Sequence, residues 1–369
     1  MVTKIKFQNS QNNYPILIGK NILNFLAKEI KKINPKTKKI AIVYDNNVPK
    51  VYQKILKKNL KEYSLIFLPF VASEKAKSLD TASRYLNKLS SLNFNRSDLI
   101  ISVGGGITGD VFGFVASIYK RGINFINIPT TLLAQVDSAI GGKTAVNSKY
   151  GKNLIGSFYQ PKLVISDISF LKSLPKKELI CGYAEILKHA IIKDKKFFEW
   201  LRKNKIRSLF NNRKKMSYII KKSCEIKIHF VKKDTNEKNL RMSLNFGHSF
   251  AHAIEISNKF SKKISHGEAV LSGMILEARL SVIRKICKLE TLRKIYEIYR
   301  NNNLSYTYER FNKSRAIKNL IPFLKNDKKN NDDKINFILL KKIGLVDKPN
   351  KNKISLKNFK NYIETLIQY

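Results

Sequence analysis

Three of the five histidines in this 369-residue chain, His248, His252 and His266, fall within 19 residues. His248 and His252 are four apart in Asn245-Phe-Gly-His-Ser-Phe-Ala-His-Ala-Ile-Glu. On a helix they share a face and can meet one ion or one substrate. His266 opens His-Gly-Glu-Ala-Val at the head of the next helical pattern. Catalytic zinc takes three protein ligands of the His and carboxylate kind and keeps a position open. The spacing offers two or three ligands without saying which histidine is not one. A second chemistry-bearing segment, Gly104-Gly105-Gly106-Ile107-Thr108-Gly109-Asp110, follows the apolar run Leu-Ile-Ile-Ser-Val. It satisfies G-x-G-x-x-G between a strand and a helical pattern, where backbone N–H groups can approach a pyrophosphate. The ribose-binding acid expected about 20 residues later is missing, because the next acid after Asp110 is Asp137. Asp45, which ends an earlier strand, can accept from ribose hydroxyls or serve as a turn or N-cap residue.

These groups need elements to hold them. Lys39 to Tyr44, Ser64 to Phe70, Leu99 to Val103, Phe125 to Pro129 and Leu163 to Asp167 read as buried strands alternating with helical patterns. That alternation predicts a mostly parallel sheet in an α/β domain. Thr3 to Phe7 and Leu17 to Gly19 add an antiparallel edge. From about Lys172 the period becomes helical, over Glu178 to Lys193, Met216 to Lys232, Leu244 to Ser257 and Gly267 to Cys287. We therefore expect an α/β domain over 1–170 and an all-α domain over 171–369, with a polar loop at Lys325 to Lys334.

Composition alone points elsewhere: 71 Lys and Arg against 27 Asp and Glu leave a net charge of +44, which fits a polyanion partner. The lysines run from Lys4 to Lys360 without concentrating on one element or interleaving with aromatics. They read as solvated helix faces, with no nucleic acid and no membrane expected as partner. Cys181, Cys224 and Cys287 are odd in number and lack a C-x-x-C spacing, which fits a reducing cytoplasm. The start of the chain lacks the apolar run of a signal peptide, and no stretch of about 18 apolar residues spans a bilayer.

Read together, the glycine loop, Lys120-Arg-Gly122, Ile128-Pro-Thr-Thr-Leu-Leu-Ala-Gln-Val-Asp-Ser138, Gly141-Gly-Lys-Thr-Ala-Val-Asn147, Gly151-Lys-Asn-Leu-Ile-Gly156 and Tyr159-Gln-Pro161 resemble the 3-dehydroquinate synthases. Gly182-Tyr-Ala-Glu-Ile-Leu-Lys188, the Asn-Phe-Gly-His block and His-Gly-Glu-Ala-Val270 continue that resemblance in order. It implies a nucleotide-binding α/β domain followed by a helical metal- and substrate-binding domain. The implied reaction belongs to the shikimate pathway: the phosphorylated sugar acid DAHP becomes 3-dehydroquinate and phosphate. NAD oxidises a secondary alcohol transiently, phosphate is eliminated, the ketone is reduced and the ring closes by an aldol step. Zinc or cobalt is the implied Lewis acid.

The resemblance assigns the metal to Glu185, His248 and His266, and leaves His252 as the acid/base and phosphate-side residue. It assigns the adenosine to Asp45 and Asn47, and further cofactor contacts to Ser73, Glu74, Lys75, Ala76 and Lys77. Gly105, Gly106, Ile107, Thr108, Gly109 and Asp110 fall at the pyrophosphate, with Thr130, Thr131, Lys143 and Lys152 beyond it. Phe170, Leu171, Lys172 and Ser173 form a last cofactor segment. The catalytic set is Lys143, Lys188, Lys227, Arg241, Asn245, His252 and Glu237. Asp137, Asn153 and either Lys328 or Lys329 contact the substrate, and Arg121 reaches in from the second subunit of a homodimer. A carboxylate and a phosphate call for such charge-assisted donors.

Overall fold

The structure is a computed structural model and describes residues 2–258, 263–325 and 334–369. The chain divides into two compact units: Met1–Pro175 with Met216–Ile228, and Lys176–Lys215 with His229–Tyr369.

In the first unit, nine strands run β1 (Thr3–Gln8), β2 (Asn13–Gly19), β3 (Lys39–Asp45), β4 (Ser64–Phe70), β5 (Leu99–Gly104), β6 (Asn124–Pro129), β7 (Lys143–Ser148), β8 (Gly151–Phe158) and β9 (Leu163–Asp167). Seven of them form one sheet in the order β1-β2-β9-β6-β5-β3-β4. Only the edge pair β1–β2 is antiparallel. Buried β-branched runs give central strands because both faces are covered. Ile40, Ile42 and Tyr44 pack with Leu26 and Ile30 of α1 (Leu26–Ile33) and Leu56 of α2 (Val51–Asn59). Ala41 and Val43 point the other way, toward Ala82 and Leu89 of α3 (Leu79–Ser91) and Val111 and Val115 of α4 (Gly106–Ile118). The hairpin β7–β8 lies outside the sheet. The sequence pattern predicts no strand there, because β8 has no buried residue and β7 only two.

The second unit contains α5 (Lys176–Lys193), α6 (Lys195–Lys203), α7 (Ile206–Asn211) and part of α8 (Arg213–Lys233), whose Met216–Ile228 stretch groups with the first unit. It continues with α9 (His248–Ser257), α10 (His266–Ile283) and α11 (Leu289–Asn301). The pattern predicted from Leu244 to Ser257 starts as a helix only at His248, because Gly247 takes a left-handed φ of +83° and Leu240–Asn245 is a tight 3₁₀ segment. The unit is helical with two short antiparallel additions, Lys334–Asn336 with Lys353–Ser355 and Leu340–Lys342 with Leu345–Val346. The expectation of an all-α domain omitted these pairs, which are too short to show an alternation. Helix α10 is buried from Ala269 to Ser281 and so forms the centre of this unit.

Candidate active site

In the first unit, strand order reverses between β3 and β5: β3 leads through α2 to β4 on one side, and β5 leads through α4 to β6 on the other. Open α/β sheets bind ligands at the carboxyl ends of such a strand pair. Tyr44 lies in register with Val103, so Asp45 and the turn at Gly104 share that end. An acid, Asp45, thus stands on the strand next to the glycine loop. Asp45 accepts the backbone N–H and side-chain amide of Asn47, each at 3.0 Å. Gly105, in extended conformation, is the N-cap of α4, and the first-turn N–H groups face out of the helix start. Thr130 after β6 donates its N–H to the Gly104 carbonyl at 2.9 Å, placing Thr130 and Thr131 beside the loop.

Around this end run three polar links. Lys77 is buried and lies 2.5 Å from Asp110. Burial pushes the Asp110 carboxyl above the usual carboxylate range, and Lys77 and Lys227 pull it only part of the way back. Hairpin β7–β8 meets the Ser73–Lys77 segment: Asn147 donates to the Lys77 carbonyl at 2.7 Å and to Glu74 at 2.9 Å, and Lys152 lies 3.2 Å from Glu74. Asn153, at a φ of +54°, donates its N–H to Asn147 at 3.0 Å, while Lys143 is exposed at the start of β7. Asp137 sits in a π-turn over Ala134–Ser138, 2.8 Å from Lys227.

In the second unit, both His248 and His266 are the first residues of their helices. Ser265 fixes the start of α10 through a reciprocal capping box with Glu268. Gly267 packs on Cys181 of α5, where a Cβ would overlap the Cys181 backbone. This close approach turns Glu185, one helical turn beyond Cys181, toward His266. The Glu185 carboxylate lies 3.6 Å from His248 Nε2 and 4.0 Å from His266 Nε2. Ligand atoms of the three residues fall within 4.8 Å of one another. His252 stands beside them, its ring 5.6 Å from that of His248 and nearly perpendicular to it.

This donor set fits a divalent ion. Glu185 is 1% exposed; the buried Lys188 ammonium pairs with its Oε2, while Oε1 has no hydrogen-bond partner. Each histidine of the trio turns its other nitrogen to an oxygen: His248 Nδ1 to the Phe246 carbonyl at 3.3 Å, His266 Nδ1 to Glu255 at 3.4 Å. That arrangement leaves both Nε2 atoms for the metal. Burial alone would lower the His266 imidazole, but Glu255 and Glu185 outweigh it and raise it above its ordinary value.

Residues 67–181 match the family described as 3-dehydroquinate synthase N-terminal, and residues 182–330 the one described as 3-dehydroquinate synthase C-terminal. A 3-dehydroquinate synthase of Pelagibacter ubique (strain HTCC1062) is 47% identical over 341 residues, covering 92% of this chain and 93% of that protein. The chain belongs to the 3-dehydroquinate synthase family. Among solved structures, 2-deoxy-scyllo-inosose synthase complexed with carbaglucose-6-phosphate, NAD+ and Co2+ shares the fold with a TM-score of 0.88 at 24% identity, over 98% of this chain and 100% of that one. The 2-epi-5-epi-valiolone synthase of Streptomyces hygroscopicus subsp. jinggangensis 5008, with NAD+ and Zn2+ bound, has a TM-score of 0.79 at 24% identity, over 98% of each chain.

The remaining positions suggested by the likeness to 3-dehydroquinate synthases fall as follows. Glu237, Arg241 and Asn245 share the segment between α8 and α9, where Asn245 donates to Glu237 at 2.9 Å and Arg241 to the Thr235 carbonyl at 2.5 Å. Phe170 and Leu171 are buried, Phe170 against Tyr52, while Lys172 and Ser173 are exposed, so only the backbone of the first pair can face a cofactor. Arg121 is exposed in a turn where Lys120, Arg121 and Gly122 all have positive φ, a strain that marks a constrained position. Lys328 and Lys329 lie outside the described residues.

Two residues escaped the sequence reading. Glu255 orients His266, and its signal was present: His248, His252 and Glu255 are spaced to share one face of α9. Asp234 closes the segment over Glu237 to Asn245 by accepting the N–H groups of Lys238, Asn239 and Arg241 at 3.0, 2.7 and 3.0 Å. Burial opposes its charge, but these bonds hold its carboxyl below the usual range. Its contribution is therefore full above the unfolded-state pKa and lost as pH falls through the depressed folded value. Asp234→Ala is expected to cost about 2 kcal/mol at neutral pH. Denaturation curves of the two proteins should converge as the pH is lowered below about 4.

Proposed function

We propose that this chain is a carbon–oxygen lyase that converts DAHP to 3-dehydroquinate and phosphate. The carrying observation is the trio of buried Glu185 with half-buried His248 and His266 in a chain 47% identical to a 3-dehydroquinate synthase. The reading assigns NAD to the domain over 1–170, with Asp45 at the adenosine and the Gly105–Asp110 turn at the pyrophosphate, and metal and substrate to 171–369. NAD would accept and return the hydride of a substrate alcohol. A zinc or cobalt ion on Glu185, His248 and His266 would polarise the substrate oxygens. Solved structures of this fold hold NAD+ with Co2+ or Zn2+.

The chain's own residues supply the rest. Lys188, Lys227 and Arg241 are buried cations suited to a carboxylate and a phosphate. Bringing them out of water makes each contact with an anion stronger. His252, beside the metal ligands but outside the trio, is placed to move a proton at the phosphate side. Asn245 and Glu237 hold each other in position. A homodimer with Arg121 supplied across subunits, a cytoplasmic setting and the absence of a nucleic-acid partner complete the proposal. Among the described residues no helix is long and apolar enough to cross a membrane.

The test is phosphate release from DAHP by purified protein. Release should require catalytic NAD, stop on chelation and return with Zn2+ or Co2+. No release from folded, metal-replete protein with NAD present would reject the activity.

A further inference from the structure

Helix α9 carries a metal ligand at its first position, yet its N-cap is Gly247, which has no side chain to cap with. The third helical residue, which in a capping box reaches back to the N-cap N–H, is Phe250. A different helix supplies the missing acceptor. Glu277 of α10 is fully buried, and its Oε2 accepts the Gly247 N–H at 2.7 Å. A buried carboxylate is costly, and an apolar side chain would pack there at less expense. It satisfies that N–H and lies at the positive end of α9.

The same backbone is pinned by α10 in two further ways. A Cβ on Gly247 would lie 2.7 Å from Met274 Cγ and 2.9 Å from the Met274 nitrogen, and a Cβ on Gly273 would collide with the Gly247 carbonyl. Every one of these constraints acts on the residue immediately before His248. We propose that Glu277 is a positioning residue that fixes the start of α9 so that His248 Nε2 faces Glu185 and His266. The inference rests on the reading of that trio as the metal site. Helix α10 then sets two ligands: it carries His266 at its own start and locates His248 through Glu277.

The experiment titrates metal-free protein with Co2+ alone and follows the visible d–d absorption, whose intensity per bound ion reports ligand geometry and does not change with stability alone. Glu277→Met fills the same volume and cannot accept; it should bind Co2+ about 10- to 100-fold more weakly, with an altered band. Glu277→Gln keeps an oxygen for the Gly247 N–H and should stay within about threefold of wild type, with the wild-type band. Wild-type titration by Glu277→Met, or an equal loss in Glu277→Gln, overturns the proposal. If Glu277→Met does not fold, Glu277→Asp takes its place, since it keeps the charge but draws the oxygens back by one methylene. It should lose about tenfold, and wild-type binding overturns the proposal. His248→Ala is the reference: a wild-type protein without the band, or His248→Ala with it intact, sinks the metal reading itself.

Discussion

Replacing His248 with alanine should strip the metal and lower kcat/KM by about a thousandfold or more, because the Lewis acid contributes several kcal/mol to the transition state. Replacing His252 with alanine should leave metal content unchanged and slow turnover by about 10²- to 10⁴-fold, the usual effect of losing a general acid or base. The two side chains are one helical turn apart with rings 5.6 Å from each other, so the contrast tests geometry and not mere proximity. His248 Nε2 lies within the ligand trio with its Nδ1 committed to the Phe246 carbonyl. Metal analysis on both variants, with steady-state kinetics on the metal-loaded proteins, gives the answer. Equal metal loss would reject the division of roles.

The second large effect concerns the Glu185–Lys188 pair, in which both side chains are 2% exposed. Glu185→Gln keeps the shape but removes the anion from the trio and strands a buried ammonium. Metal-free protein should lose about 3–5 kcal/mol of stability, the cost of breaking a buried ion pair from one side. Metal affinity should fall with it, since the trio loses its carboxylate. Lys188→Met removes the other partner, and the carboxylate it leaves can be satisfied by the metal. The metal-loaded Lys188→Met protein should therefore keep its stability and its metal while losing turnover. Denaturation with and without Zn2+, together with metal content, separates the two. Metal-loaded Lys188→Met as unstable as Glu185→Gln would show that the pair is structural and not divided between metal and substrate.

Local spacing did not reveal a role for Glu185. Glu185, with Lys188 and His189 on the same helix, read as an ordinary exposed face, and only the family resemblance drew attention to it. In the fold it is buried because Gly267 lets α5 approach α10 at Cys181, one turn away. The glycine loop shows the reverse case. Its motif was legible, but the acid expected downstream was absent. Asp45 stands at the end of β3, beside the glycine loop, because β3 and β5 are sheet neighbours although 58 positions separate Asp45 from Val103 along the chain.

The sequence by itself determined the parallel strands of the main sheet and the long helices, because their burial period is a local property of side-chain order, but not the β7–β8 hairpin or the short strand pairs of the second unit. It also determined which residue types cluster, since His248, His252 and His266 are close along the chain. Only the tertiary structure decided which of those histidines point at one another and which carboxylate joins them. It also decided which residues hold neighbouring groups in place, as Glu255 does for His266 and Asp234 for the segment over Glu237 to Asn245. Those relations depend on how closely two helices approach and on where each begins. Such distances are set by contacts between residues remote in sequence, which no spacing rule along one chain can express.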